Sequence, residues 1–239
     1  MTRSTFVLSA LFVGLLAAVL HQSVAATGAN QELGSPERGN YSVSNVNGSV
    51  CLMALMGLQL NVSYSSVSQN KTVAAMINLQ PNITTPSGSC DLDSATLQLS
   101  TDADKINLTF RFSLNTTSNK YHLSGLSLSA VLADMKEESP LSFRNDTLEY
   151  MWGTLGHSYM CRDKQTLTVT KDFSVQTFKL QVQPFGFTGG FGAADECQLD
   201  EDDMLIPIIV GAALAGLVLI VLVAYLIGRK RSHAGYQTI

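Results

Sequence analysis

Hydrophobic and polar positions alternate with a period of two through much of the middle of the chain. In "NLTFRFSLN" (Asn107–Asn115), Leu108, Phe110, Phe112 and Leu114 share one parity; Asn107, Thr109, Arg111, Ser113 and Asn115 share the other. "LQLNVSY" (Leu58–Tyr64) and "FKLQVQ" (Phe178–Gln183) repeat the alternation, as do "LTV" (Leu167–Val169) and "LSLSA" (Leu126–Ala130). Successive side chains on a strand point to opposite faces, so the pattern predicts half-buried strands of antiparallel sheets. In "FKLQVQ" it groups Phe178, Leu180 and Val182 on one face. The clusters "QPNITTPSGS" (Gln80–Ser89) and "PFGFTGGFG" (Pro184–Gly192) are rich in turn formers and predict connections. The fold class is mainly β, most simply two packed sheets.

Two continuous apolar runs break the alternation. Arg3, the run Phe6–Leu20 and the small residues Ser23–Ala26 form a secretory signal peptide over residues 1–26. The second run carries no charge from Leu205 to Ile227. As a helix it would be about 34 Å long, enough to cross a hydrocarbon layer of about 30 Å. It predicts a transmembrane helix over residues 204–228 in contact with membrane lipid, with Pro207 in the first turn, where a missing N–H breaks no internal bond. Asp200–Asp203 precede the span and Arg229–Arg231 follow it. Basic flanks stay cytoplasmic, so residues 27–203 face the lumen and residues 229–239 the cytosol. Gly211, Ala212, Ala215 and Gly216 set small residues four apart, the spacing of a close helix–helix contact, and imply self-association of the span into a homo-oligomer.

Charge sharpens this division. Residues 27–203 carry nineteen acidic and eleven basic side chains, a net charge of −8, whereas the tail is purely basic. An acidic ectodomain is the wrong sign for nucleic acid, which is not expected as a partner. Residues 27–48 are polar and small and read as a flexible leader, leaving residues 49–203 as one lumenal domain. No internal repeat and no mucin-like tract interrupts it.

Eight Asn-X-Ser/Thr sequons fall in this domain and its leader, at Asn40, Asn47, Asn61, Asn70, Asn82, Asn107, Asn115 and Asn145. With twelve asparagines in the chain, about two sequons would arise by chance, so the density points to heavy N-glycosylation. Asn61, Asn107 and Asn115 lie on the polar register of their strands, where a glycan projects into water. Cys51, Cys90, Cys161 and Cys197 share the oxidising compartment and imply two disulfides. Their spacings of 39 and 36 lack the short knuckles of a zinc site. Three pairings remain open on spacing alone.

The lumenal residues offer little for catalysis. Only His122 and His157 are present, and "GHSYM" (Gly156–Met160) lacks the second glycine of a nucleophile elbow. The glycine-rich "FGFTGGFG" is not followed by Lys-Ser/Thr, so it reads as a tight loop and not as a phosphate cradle. The acidic pairs Glu137/Glu138 and Asp195/Glu196 read as solvated. The expectation is a non-enzymatic protein with no cofactor and no metal. All sequons precede residue 146, which suggests residues 146–203 as a protein-contact face anchored by exposed Phe185, Phe187 and Phe191.

The chain ends in "YQTI", a tyrosine and a bulky aliphatic residue three positions apart on the cytosolic side. In an extended peptide Tyr236 and Ile239 can fill separate pockets while the backbone pairs with a sheet edge. The span and tail "MLIPIIVGAALAGLVLIVLVAYLIGRKRSHAGYQTI" resemble those of the lysosome-associated membrane glycoproteins, as do "CLMALMGLQLNVSY", "SGSC", "TLGHSYMC" and "FGAADEC" in the ectodomain. That resemblance implies a β-prism domain with disulfides Cys51–Cys90 and Cys161–Cys197. It implies that Gly235, Tyr236 and Ile239 form a signal for clathrin-adaptor medium subunits, directing the protein to lysosomal and late endosomal membranes with a minor cell-surface pool. A protective glycan coat with roles in lysosome integrity and fusion is the function it implies; the alternative is an endolysosomal binding receptor of the macrosialin kind. The paired domains and Pro/Ser-rich hinge of the larger family members are not seen in this sequence.

Overall fold

The structure, a computed structural model, describes residues 34–101, 105–136 and 139–233. The signal peptide, the first part of the leader, Glu137/Glu138 and the terminal Gly235, Tyr236 and Ile239 lie outside the described residues. In chain order the strands are β1 (Gly39–Ser44), β2 (Val50–Ser65), β3 (Thr72–Asn78), β4 (Thr84–Cys90), β5 (Ser94–Thr101), β6 (Ile106–Asn115) and β7 (Lys120–Ala130). They continue with β8 (Leu141–Asn145), β9 (Tyr150–Thr154), β10 (Ser158–Cys161), β11 (Gln165–Thr170), β12 (Phe173–Gln183) and β13 (Ala194–Glu196). One helix follows, α1 (Gln198–His233).

The strands form two sheets. The first runs β1-β2-β12-β10-β13, with β3 also on β2 and β11 also on β12. The second runs β4-β5-β6-β7-β8, with β9 also on β7. Three long strands thus each divide one edge between two shorter partners. On β2 the edge passes from β1 (Val50–Met56) to β3 (Gln59–Ser65), and Gly57 sits at the change. A side chain at Gly57 would meet the Pro36 carbonyl at 2.7 Å, so the chain leading into β1 can cross there only over a glycine. On β7 the change falls at Ser124, an extra residue opposite Arg111 and Phe112; its carbonyl accepts the Leu148 N–H from the β8–β9 connection. On β12 it falls between Phe178 and Gln181. Bulges bend a strand and end pairing locally, and here they mark the points where one partner strand gives way to the next.

The inner faces interlock into one core. Leu58, Leu60 and Val62 of β2, Leu97 and Leu99 of β5, and Leu108, Phe110 and Phe112 of β6 are all essentially inaccessible. Phe143 of β8 stacks on Phe173 of β12 across the sheets, with centroids 5.5 Å apart. The alternation expected for Asn107–Asn115 holds, with Ile106, Leu108, Phe110 and Phe112 inward and Asn107 and Asn115 exposed. Disulfide Cys51–Cys90 ties β2 to β4, one strand from each sheet, and Cys161–Cys197 ties β10 to the residue preceding α1. Loops of this length contribute about 4 kcal/mol each on the chain-entropy account.

Four expectations are corrected. Residues 39–44 of the expected flexible leader form β1, with Tyr41 and Val43 buried against β2; two apolar residues in a polar segment are too few to register as a strand by themselves. The cluster Gln80–Ser89 is mostly β4; Pro86 and Gly88 are tolerated because β4 is an edge strand, paired among the described residues only with β5. Phe178 does not share the face of Leu180 and Val182. Phe173, Val175 and Thr177 point inward before the bulge, Leu180 and Val182 after it, and Lys179 absorbs the extra residue at φ +48°. Phe185 is buried, at 6% exposure, and Phe187 and Phe191 are half-buried against each other.

Lys179 is solvent-exposed, and its backbone lies in the left-handed region. Lys179→Gly should therefore match or exceed the parent in thermal unfolding, whereas Lys179→Val should cost about 1–2 kcal/mol, because β-branching is poorly tolerated there. Equal destabilisation by both would show that the side chain, not the bulge conformation, matters at this position.

Candidate functional site

The features that bear on function are spread over the domain surface and its junction with α1. Six sequon asparagines are exposed: Asn40, Asn47, Asn70, Asn82, Asn107 and Asn115. Asn40 lies on the outward register of β1 and Asn107 on that of β6, so the alternation that buries the core also delivers these amides to water. Asn61 and Asn145 are half-buried. Asn145 doubles as a clamp between the sheets: its Nδ2 donates to the Val169 carbonyl of β11 at 3.0 Å, and its Oδ1 accepts from Thr147 N–H and hydroxyl at 2.9 Å.

The sequon-free residues that follow build a hydrogen-bonded corner. His157 Nδ1 lies 3.0 Å from Asp195 Oδ1, while Asp195 Oδ2 accepts the Thr154 N–H at 2.7 Å. Burial pushes the Asp195 carboxyl up, but the hydrogen bonds from His157 and Thr154 outweigh it and hold it below the usual range. Arg162 pairs with Glu196 at 2.9 Å. Asp195 and Glu196 are therefore engaged and not simply solvated; residues adjacent in sequence find partners at the end of β9 and on either side of β10 that no local pattern announces. Ser158 of "GHSYM" is fully buried, and its hydroxyl accepts from Gln181, so it presents no nucleophile to solvent.

Asp200 anchors the helix. Its side chain is 3% exposed and accepts the N–H groups of Arg162 (2.8 and 3.0 Å) and Asp163 (3.1 Å). Cys161, Cys197 and Asp200 converge, but both sulfurs are joined in the disulfide, which leaves no thiolate for a metal. With this anchor α1 starts at Gln198, ahead of the expected span at 204. Pro207 accordingly lies inside the helix and not in its first turn, and its missing N–H leaves the Asp203 carbonyl without its i+4 partner. Pro207–Arg229, 23 residues, is long and apolar enough to cross a membrane. A side chain at Gly211 or Gly216 would meet nothing within 4 Å outside the helix.

Two stacked sheets with two disulfides, continued by a helix long and apolar enough to cross a membrane, define a β-prism-like disulfide-bonded domain joined to a candidate membrane span. Residues 25–198 match the family model for lysosome-associated membrane glycoprotein 2-like luminal domains, and residues 206–237 match that for the lysosome-associated membrane glycoprotein 2 transmembrane segment. The chain is 48% identical over 206 residues to lysosome-associated membrane glycoprotein 1 of Homo sapiens, covering 86% of this chain and 48% of that protein. It is 44% identical over 203 residues to lysosome-associated membrane glycoprotein 2 of Homo sapiens, covering 84% and 47%. The crystal structure of the membrane-proximal domain of mouse lysosome-associated membrane protein 1 superposes with a TM-score of 0.63 at 35% identity, over 69% of this chain and 99% of that domain. The human LAMP-3 structure superposes at 0.58 and 26% identity, covering 68% and 99%. The chain belongs to the lysosome-associated membrane glycoprotein family. It spans about half the length of the curated relatives it matches, which are membrane glycoproteins by name.

The predicted disulfides, the β architecture and the transmembrane segment stand together in this structure. Sequence reasoning missed the His157–Asp195 pair, the Asp200 anchor and the stacking of His122 on Trp152, with centroids 4.4 Å apart. Burial holds the His122 pKa below its ordinary value, with Glu149 opposing. A histidine whose folded pKa lies below its unfolded one binds fewer protons folded than unfolded, so its contribution is lost as pH falls from the unfolded value of about 6.5 through the folded one. Depressed carboxyls such as Asp195 contribute above about pH 3.9 and lose that contribution only below it. Denaturant titrations should show mild weakening just below about pH 6.5 and a steeper loss under about pH 4. His122→Phe should abolish the first phase and leave the second; persistence of the first phase would assign it elsewhere.

Proposed function

We propose that this protein lines the lysosomal and late endosomal membrane as a type I glycoprotein whose sugars shield the lumenal face from hydrolases and support the integrity and fusion of the organelle. The observation that carries this reading is the placement of exposed sequons on outward strand positions of a disulfide-bonded domain borne by one span. Its physical basis is steric: a protease must draw an extended segment into its cleft, and a glycan every few strands on a tightly paired sheet obstructs that approach. The basic Arg229–Arg231 beyond the span supports a cytosolic tail, and the larger relatives' names support the lysosomal setting.

Delivery is assigned to the terminal Gly235, Tyr236 and Ile239, with clathrin-adaptor medium subunits as the partner. Tyr236 supplies an aromatic anchor and Ile239 an aliphatic one, and the short polar stretch between them needs no burial. A minor surface pool follows from slow retrieval through the same signal. Tyr236→Ala and Ile239→Ala should each move the steady-state distribution from lysosomes to the cell surface and slow antibody uptake from it. Unchanged uptake by the Tyr236→Ala protein would remove this signal from the account.

A further inference from the structure

One end of the domain carries a cleft of about 430 Å³ where the β1–β2, β4–β5 and β6–β7 turns meet the β12–β13 loop. Its walls include Leu92, Leu114, Leu155 and Phe187, and its rim includes Asn45 and Ser49. Leu92 is 86% exposed and Leu155 39%, so much of this apolar surface faces water. Asp91 is the one charged residue among its lining groups. An apolar floor with an amide and hydroxyl rim suits a ligand that is apolar on one face and polar at its edges.

The β1–β2 turn itself brings such a ligand. Its sequon is Asn47-Gly48-Ser49, and Asn45 and Ser49, on either side of Asn47, both line the cleft. The turn is held open by Asn45, whose Oδ1 accepts the Asn47 and Ser49 N–H groups at 3.0 and 3.1 Å. Asn47 is exposed at its tip. The second sequon nearby, Asn115, is arranged differently: its Oδ1 accepts from Thr117 and Ser118 N–H (3.0 and 3.1 Å), folding the amide onto its own turn. Its strand neighbour Leu114 lines the cleft, which puts Asn115 on the opposite face.

We propose that the first sugars of an N-glycan on Asn47 fold back into this cleft and cover Leu92 and Phe187. An N-acetylglucosamine unit has a C–H face and an acetamide methyl for the leucines and the phenylalanine ring, and ring-edge hydroxyls and amides for Asn45 and Ser49. Free sugar would bind such a surface weakly. A tether of a few bonds, however, gives an effective concentration on the order of millimolar or more, and removes most of the association entropy that a free ligand must lose. The glycan then acts as a covalently held part of the apolar core. The inference rests on glycosylation of the proposed coat and adds to it a specific resting place for one chain.

The test uses the full-length glycoprotein from mammalian cells, with glycopeptide mass spectrometry for occupancy and hydroxyl-radical footprinting for side-chain exposure. Asn47→Gln should raise the labelling of Leu92 and Phe187 about twofold or more, because covering an apolar side chain removes at least half of its accessible area. Asn115→Gln should leave that labelling at the parent level. An occupied Asn47 with labelling unchanged in Asn47→Gln would overturn the cleft assignment while leaving the coat intact. A rise only in Asn115→Gln would overturn the choice of Asn47. An unoccupied Asn47 in the parent would refute both its glycosylation and this inference.

Discussion

The antiparallel pairing of β2 with β12 is the constraint on which the rest of the domain depends. It runs from Val62 opposite Phe173 to Met53 opposite Gln183, along the middle of the first sheet. Every other strand of that sheet hangs from one of these two: β1 and β3 from β2, β10 and β11 from β12, and β13 through β10. The second sheet closes over it through the buried faces of β5, β6 and β7, and Cys51 of β2 fixes it covalently by bonding to Cys90 of β4. Because side chains alternate, one register on β2 and β12 decides at once which residues form the core and which reach water. A one-residue slip would bury Asn61 and expose Leu58, Leu60 and Val62. The bulge at Lys179 is the one place where β12 makes such a shift, and it coincides with the handover from β11 to β10.

That coupling explains why the surface and the core are two sides of one pattern. Outward positions are free of packing demands, so they can carry sequons without disturbing the interior, as Asn40 and Asn107 do. Asn145 is the instructive exception, since its amide bridges β8 and β11. The corner near the membrane helix uses polar chemistry instead. Asp195 and Asp200 accept backbone N–H groups from β9 and from the segment after β10, and at Asp195 the bonds from Thr154 and His157 hold the carboxyl below its usual range. The disulfide at Cys161–Cys197 and the Asp200 anchor together hold the start of α1 against the first sheet.

Much of this was legible in the sequence because a period of two is a local property. The faces of β6 and of the second half of β2 follow from the letters alone, as does the apolar span. What was not legible depends on partners distant in the chain. Tyr41 and Val43 become core residues only because β2 lies beside them, and β4 is a strand despite Pro86 and Gly88 because it lies at the edge of its sheet among the described residues. Phe178 is misplaced by the alternation because a bulge leaves no mark in hydrophobicity; the extra residue is a lysine that fits the polar face of an unbroken strand equally well. The helix begins early because Asp200 caps a turn built by residues almost forty positions away. Phe185 looked like a surface anchor because it sits in a glycine-rich loop, yet its ring packs against Tyr121 at 5.9 Å.

The central claim is that sugars on this paired-strand domain protect it in a hydrolytic lumen. The most direct measurement is the survival of the lumenal domain in its full-length, membrane-inserted form. The protein would be exposed to lysosomal proteases at about pH 5, a mildly acidic condition in which the depressed Asp195 carboxyl stays ionised, with and without prior enzymatic removal of N-glycans under non-denaturing conditions. The account predicts that the glycosylated domain outlasts the stripped one by a wide margin, although circular dichroism shows both folded beforehand. Equal survival of the two folded forms would contradict it, leaving disulfides and strand pairing as the whole of the domain's resistance.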